Sequence, residues 1–317
     1  MVSEIPAITI AVCISTLHRP AGLEQTLRSV AKQRDSLPIG HALMAVVVSN
    51  DPDDPEPKQV VMRVAKESGL RIEFAVEPHR GVAPPRNCAL GIAQTAVGAK
   101  GLIAFIDDDE VADHGWLAEL LSVKLRWGAA IVTGPVVPTF DHQPADWIVR
   151  GGFFAPTVLQ TGASRRWAFT NNVLFDAALL ASVDRWFDPH YLRAGEDRHF
   201  FQRLAARGAR IVWAANARVT ESIPPARACA PWLVRRQRSV GRCVAPIERD
   251  LYGAPYAVLN CSARGIACIG LGSVLTLVGC LSKRRRVRGL LWTAWGIGLI
   301  EGVWRPSVAG APVSIAD

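Results

Sequence analysis

Short apolar runs alternate with helical stripes along the first two-thirds of the chain. Ile8 to Ile14, Leu43 to Val48, Ile72 to Val76, Leu102 to Ile106 and Ala129 to Thr133 have the length and β-branched character of buried strands. Between them, four sets recur at helical spacing: Leu23, Leu27, Val30; Val60, Val61, Val64, Ala65; Ala89, Leu90, Ile92, Ala93; and Trp116, Leu117, Leu120, Leu121. This alternation predicts an open parallel sheet with helices on both faces. Such sheets bind ligands outside the carboxyl ends of their strands. The polar clusters Ser15-Thr16-Leu17-His18, Asn50-Asp51 and Asp107-Asp108-Asp109 all fall at those ends.

The second half is less regular. Residues 139–170 are rich in Pro, Gly and aromatics and read as a long loop over a site. Val173 to Phe175 and Ile211 to Ala214 read as further strands, the latter as the last of the core. Gly195-Glu196-Asp197 opens a helix with Phe200, Phe201 and Leu204 on its apolar side. Two apolar segments follow, Gly265 to Leu281 and Gly289 to Ile300, separated by Lys283-Arg284-Arg285-Arg286-Val287-Arg288. Each is at or below the roughly 17–25 residues that span a bilayer. The positive-inside tendency keeps the basic link cytoplasmic, and a spanning first segment would then carry the preceding domain outside. A hairpin that dips into or lies on the inner leaflet is therefore expected, its basic link on anionic headgroups. A buried helical pair in a soluble protein is the alternative. The expected division is a catalytic α/β domain over 1–258, membrane-associated helices over 259–305 and a disordered tail over 306–317.

Composition narrows the partners. The chain has 317 residues, is 50% hydrophobic and carries a net charge of +8, so a large core is possible and global disorder is excluded. Arginine concentrates after residue 200, which suggests an anionic partner. Nucleic acid is not expected, because the basic clusters flank apolar stretches and no reading module is present. The seven cysteines show no zinc spacing and fit a reducing compartment. The N-terminus, Met-Val-Ser-Glu-Ile-Pro, lacks the regions of a secretory signal.

Asp107, Asp108 and Asp109 follow directly on the apolar run 102–106, with Glu110 behind them. Three carboxylates at a strand end repel one another and lose hydration, so the cluster calls for a positive partner. A hard divalent cation that also holds a phosphorylated substrate meets that need; a solvated acidic turn is the simpler alternative. No GxGxxG follows the first strand and there is no P-loop, which argues against dinucleotide and Walker-type binding. Ser15 to Pro20 has no glycine, so a triphosphate-binding nucleotidyltransferase loop is a poor fit.

Five segments together resemble family 2 glycosyltransferases of the GT-A fold, in particular bacterial exopolysaccharide (succinoglycan-type) enzymes. They are Ser15-Thr16-Leu17-His18-Arg19-Pro20, the stretch Gly81 to Leu90, Asp107-Asp108-Asp109, Thr170-Asn171-Asn172-Val173 and Gly195-Glu196-Asp197. The resemblance implies inverting transfer from a nucleoside-diphosphate sugar, expected to be a UDP-sugar, to the hydroxyl of a lipid-linked saccharide at the cytoplasmic face of the membrane. It implies Mg²⁺ or Mn²⁺ on Asp109, Asp108 near the ribose, and Asp197 as base with Glu196 as its rival or as an acceptor-orienting group. Asp107 stays open between a strand-end cap and a ligand. Ser15 and Leu17 match positions lining the nucleobase pocket. Asn50 stands where a base-reading Asp is common; the usual Asp-Asp-Gly-Ser is here Ser49-Asn50-Asp51-Pro52, and an amide can still bond a pyrimidine edge. Arg86 is expected to approach the nucleotide or to brace this wall through a salt bridge. Asn171 and Asn172 are expected to contact the sugars, with strand-end hydrogen bonding as the alternative. Arg235, Arg238 and Arg242 fall near a loop that closes on the diphosphate, or face lipid phosphates. His18 reads as a loop hydrogen-bonder. A scaffold that kept the fold and lost catalysis is the competing reading, and it predicts a missing carboxylate.

Overall fold

The structure, a computed structural model, describes residues 8–191 and 194–304. The N-terminal hexapeptide and the tail over 306–317 lie outside the described residues. In chain order the elements are β1 (Thr9–Thr16), α1 (Pro20–Ala31), β2 (Ala42–Ser49), α2 (Glu56–Ser68), β3 (Arg71–Val76), α3 (Ala83–Val97), β4 (Leu102–Ile106), β5 (Glu110–Ala112), α4 (Trp116–Trp127), β6 (Ile131–Thr133) and β7 (Val136–Phe140). Then come α5 (Asp146–Gly151), β8 (Ser164–Arg165), β9 (Asn172–Asp176), α6 (Glu196–Ala206), β10 (Ile211–Trp213), β11 (Val219–Ile223), α7 (Ala230–Tyr252), α8 (Ala254–Val278) and α9 (Lys283–Trp304).

Two compact units result. The first comprises residues 8–139, 155–188 and 196–222, and the second 140–154, 189–191, 194–195 and 223–304. In the first, an eight-stranded sheet runs β3-β2-β1-β4-β9-β6-β10-β8, and β5-β11-β7 form a small second sheet. Strands β1 to β4 pair in parallel, as does β6 with β10. Alternation with period two splits the apolar positions between two layers. Ile10, Val12 and Ile14 face Leu23, Leu27, Val30, Val60 and Val64; Ala11 and Cys13 face Ala89, Leu90, Phe200 and Phe201. Both faces are covered, which is why the strands read as continuous apolar runs.

The sheet is mostly parallel, as expected, with β8 antiparallel to β10 at its edge and one reversed strand inside it, β9. This strand runs antiparallel between β4 and β6, with Ile106 opposite Asn172. Its first residues, not its last, therefore sit beside the carboxyl end of β4. Residues 139–170 are also not a plain loop: they contain α5 and β8, and residues 140–154 belong to the second unit.

The second unit is built on α7, α8 and α9, with Val244, Ala245, Cys261, Leu299 and Val303 buried among them. The hairpin is longer than its apolar runs suggest, because α8 starts at Ala254 and the basic link forms the opening turns of α9. Glycines let the two helices touch. A Cβ on Gly272 would lie 2.7 Å from the Gly289 carbonyl oxygen, and one on Gly265 would lie 2.9 Å from that of Gly296. Small residues at such crossings are what close helix pairs require. Gly272→Val is expected to lower stability by about 1–3 kcal/mol through overpacking. Gly270→Ala, on a helix position with open space around it, is expected to be neutral or slightly stabilising. Denaturant unfolding of the two variants checks this contrast.

Candidate functional site

Gly22 and Thr26 bring the start of α1 onto the acidic turn. A Cβ at Gly22 would meet the Asp108 carbonyl oxygen at 2.6 Å, and Thr26 donates its hydroxyl to the Glu110 carbonyl at 2.6 Å. Glu110 holds the turn from inside: its carboxylate accepts the Asp107 backbone N–H at 3.0 Å. Burial raises the Glu110 carboxyl well above its ordinary range, with Asp107 adding to the effect. The turn thus presents Asp107, Asp108 and Asp109 at the carboxyl end of β4.

Two arginines meet these carboxylates. Arg19, directly after β1, donates one nitrogen to Asp108 at 3.0 Å and to Asp109 at 2.7 Å. Asp108 is nearly buried, and that burial raises its carboxyl to about 6 despite the Arg19 charge. Arg86, in the first turns of α3, bridges Asp107 at 3.2 Å and Glu196 at the start of α6. Its guanidinium is pushed up by Glu196, Asp107 and Asp197, against the opposing effect of its own burial.

Glu196 is enclosed, and burial raises it to about 8 with Asp197 and Asp107 adding, while Arg86 pulls the other way. Asp197 is partly open to solvent; it accepts the Arg198 backbone N–H at 2.6 Å and is also held by the Thr170 backbone. Its carboxyl too is raised by burial, opposed by Arg86. The start of α6 is further framed by Arg198, whose guanidinium lies 4.6 Å from the ring centre of Trp167. The result is a continuous ladder from Arg19 through Asp109, Asp108, Asp107, Arg86 and Glu196 to Asp197, with carboxylates in excess.

The remaining candidates fall on the same strand ends with different freedoms. Ser15, the penultimate residue of β1, has its hydroxyl buried with no hydrogen-bond partner among the described residues, an opening a ligand could satisfy. Leu17 follows the strand, half-buried. Asn50, at the end of β2, donates its amide to the carbonyls of Glu77 and His79, each at 2.8 Å. That leaves Oδ1 as the atom able to accept from a base. His18, at a left-handed φ of 54°, pairs with Asp51 at 3.1 Å and Asp54 at 3.4 Å, the loop role expected of it.

Three expectations change. Asn172 is fully buried: Oδ1 accepts from the Trp116 indole at 2.9 Å, and Nδ2 donates to the carbonyls of Pro135 and Ala217 at 3.0 and 2.7 Å. Its polar atoms are consumed by the fold, which is the strand-end hydrogen bonding named as the alternative and leaves none for a sugar. Arg238 and Arg242 lie on α7 and both bind Glu301 of α9, Arg238 through Nε at 3.0 Å and Arg242 through Nε at 2.5 Å. They brace the helical unit instead of a diphosphate loop. Arg19 stands inside the first motif and Glu110 just behind the acidic triplet, whereas Gly22 carries no signal in the sequence. The setting of Arg19 between His18 and Pro20 gives no sign that its guanidinium reaches across to another strand.

No three His, Cys, Asp or Glu side chains among the described residues form a metal cage by themselves. Oxygen-rich sites that use one or two carboxylates and complete the shell with substrate phosphates do not need one. Asp108 and Asp109 already converge on a single cationic nitrogen of Arg19, and their hard oxygens suit Mg²⁺ or Mn²⁺, so the residues fit such a shared site.

Comparison with known proteins gives the family and the fold. The sequence matches Glycosyl transferase family 2 over residues 11–180 and Glycosyl transferase family group 2 over residues 102–304. It is 30% identical over 304 residues to the succinoglycan biosynthesis protein ExoM of Rhizobium meliloti (strain 1021), covering 96% of this chain and 94% of that one. The fold is similar to that of the mannosyltransferase PcManGT from Pyrobaculum calidifontis in complex with GDP-Man and Mn²⁺, with a TM-score of 0.61, 19% identity and 93% and 87% of the two chains covered. It is also similar to S. aureus TarS in complex with UDP, with a TM-score of 0.54, 15% identity and 94% and 91% covered. A mostly parallel GT-A sheet, with its acidic turn at the strand ends and family matches that together run from residue 11 to 304, shows that this chain belongs to glycosyltransferase family 2.

Proposed function

We propose that this glycosyltransferase transfers a sugar from a UDP-sugar, with inversion, to a hydroxyl of a lipid-linked saccharide during exopolysaccharide synthesis. The observation that carries the reading is the ladder of carboxylates and arginines at the sheet's strand ends, with Asp109 at one end and the partly open Asp197 at the other. The nucleobase lies against Ser15 and Leu17, and Asn50 Oδ1 accepts from its N–H. Asp108 binds the ribose, and Asn171 a sugar. Asp109 would hold a divalent cation together with the donor's phosphates; when bound there, it supplies positive charge to the leaving diphosphate. Asp197 takes the proton of the acceptor hydroxyl as that oxygen bonds to the anomeric carbon and the bond from that carbon to the phosphate oxygen breaks. The nucleoside diphosphate leaves with the bonding electrons. Arg86 fixes Glu196 beside the base and balances the charge around it.

The second unit supports a membrane-apposed reading at the cytoplasmic face. Helix α8 alone among the described residues is long and apolar enough to cross a membrane, and most of it is not buried inside the protein. Leu259, Ile266, Val274, Leu277 and Val278 are exposed along it. The relative's role in succinoglycan biosynthesis favours an acceptor carried on a lipid.

A panel of nucleotide sugars, scored for release of nucleoside diphosphate with and without Mn²⁺ or Mg²⁺, tests the function. Metal-dependent release with one donor, lost in Asp109→Asn with folding retained, is the expected result. Release that is indifferent to chelator and to Asp109→Asn would sink the metal assignment. Absence of release from every nucleotide sugar would favour a non-catalytic scaffold.

A further inference from the structure

A cavity of about 340 Å³ lies within the second unit, lined by Asp146, Trp147 and Arg150 of α5 and by Ser282, Lys283 and Arg284 at the start of α9. Its walls are tied together. Lys283 Nζ stands 4.9 Å from the Trp147 ring centre. Arg284 donates to the Arg150 carbonyl at 3.3 Å, and Arg288 donates to the Gly151 carbonyl at 2.7 Å. Asp146 faces Arg150 at 3.6 Å. Three cations thus share one lining carboxylate, and the cavity is positive.

The helix that supplies two of these cations is charged against its own dipole. The amino end of a helix favours anions, yet α9 opens with Lys283-Arg284-Arg285-Arg286 and has no acidic residue in its first turn. An anion seated among the cations would relieve both their mutual repulsion and the dipole. Val149 and Leu281, next to lining residues, and Leu277 and Val278, at the end of α8, are apolar and bare: they are 62%, 100%, 75% and 71% exposed. An aromatic ring and basic side chains beside exposed aliphatics form the arrangement found where protein meets the headgroup layer.

We propose that this cavity binds the phosphate of an anionic phospholipid headgroup. Arg150, Lys283 and Arg284 are the phosphate-contacting cations, with arginine supplying paired N–H donors, and Trp147 lies at the boundary between headgroup and acyl chain. The site would fix how the helical unit is seated on the bilayer, and not merely attract it. This inference rests on the membrane-apposed reading of α8.

Co-sedimentation of the full chain with vesicles tests it. Wild type is expected to bind vesicles of phosphatidylcholine mixed with phosphatidylglycerol far better than phosphatidylcholine alone. Arg150→Gln with Arg284→Gln is expected to weaken binding to the anionic vesicles by well over the roughly thirtyfold that losing any two cations near the surface costs through diffuse attraction. Arg285→Gln with Arg286→Gln removes the same charge outside the cavity and is expected to cost clearly less. Lys283→Gln with Arg284→Gln is the second cavity variant, should the first fail to fold. Equal losses in the cavity and control pairs would overturn the pocket and leave a diffuse basic surface. Equal binding of wild type to neutral and anionic vesicles would overturn the pocket while sparing the membrane reading. Failure to bind any vesicle overturns both. Binding of inorganic phosphate that Arg150→Gln with Arg284→Gln abolishes, while vesicle binding of the same variant stays at the wild-type level, would assign the cavity to a free phosphate and overturn the lipid assignment.

Discussion

Asp197→Asn is expected to lower kcat by about 10²–10⁴-fold, the usual contribution of a positioned general base, with donor binding close to that of wild type. The substitution preserves shape and keeps an oxygen to accept the Arg198 N–H, so the loss reports on proton acceptance and not on folding. The pH profile adds an independent check. Burial raises the Asp197 carboxyl, and only the deprotonated form can take a proton. The wild-type rate should therefore rise with pH through a value above the ordinary aspartate range, and fall as acid protonates the base. Glu196→Gln is the control, because Glu196 is enclosed and already engaged by Arg86. A larger loss of kcat in Glu196→Gln than in Asp197→Asn would exchange their roles.

Arg86→Met should destabilise the fold by an amount that grows with pH and reaches about 3–5 kcal/mol once Glu196, raised to about 8, is ionised, the cost of stripping the partner from a buried ion pair. Arg86 holds Asp107 and Glu196 together, and its own side chain is 14% exposed. With the arginine gone, both carboxylates lose their counter-charge, and the one at Glu196 has almost no access to water. The sign of the pH dependence follows from linkage. Glu196 is raised from 4.5 to about 8 in the folded protein, so the folded state holds its proton more tightly than the unfolded chain. Stability from this group is present at low pH and lost as pH rises towards 8. Removing Arg86 raises the carboxyl further, so the deficit of the variant should shrink as pH falls and widen as it rises. Thermal unfolding of both proteins across that range measures it. A deficit independent of pH would show that Arg86 acts through packing alone.

The carboxylates were legible in the sequence because each stands beside a strong local signal. Asp107 to Asp109 end an uninterrupted apolar run, and Glu196-Asp197 open a helix whose apolar side is marked by Phe200, Phe201 and Leu204. The partners of those carboxylates were not legible in the same way. Arg86 was left between a nucleotide contact and a structural bridge, and its choice depends on α3 and α6 flanking β4. Asn172 looked like one of two equivalent amides. It is spent inside the fold because the reversed direction of β9 sets it against Trp116, Pro135 and Ala217. Nothing in the Asn-Asn pair announces strand direction.

The same division runs through the second unit. Its apolar and basic segments were visible in the sequence, whereas the glycine contacts of α8 with α9 and the α5 wall of the cavity were not. Hydrophobic period and local charge are properties of neighbouring residues, so the chain by itself determined the β/α alternation, the strand ends where ligands gather and the acidic turn at one of them. Pairing is a property of residues far apart: Arg19 lies 90 positions from Asp109 and Arg86 lies 110 from Glu196. Only the tertiary structure could decide which arginine neutralises which carboxylate, because strand order and direction set those distances and no local preference encodes them.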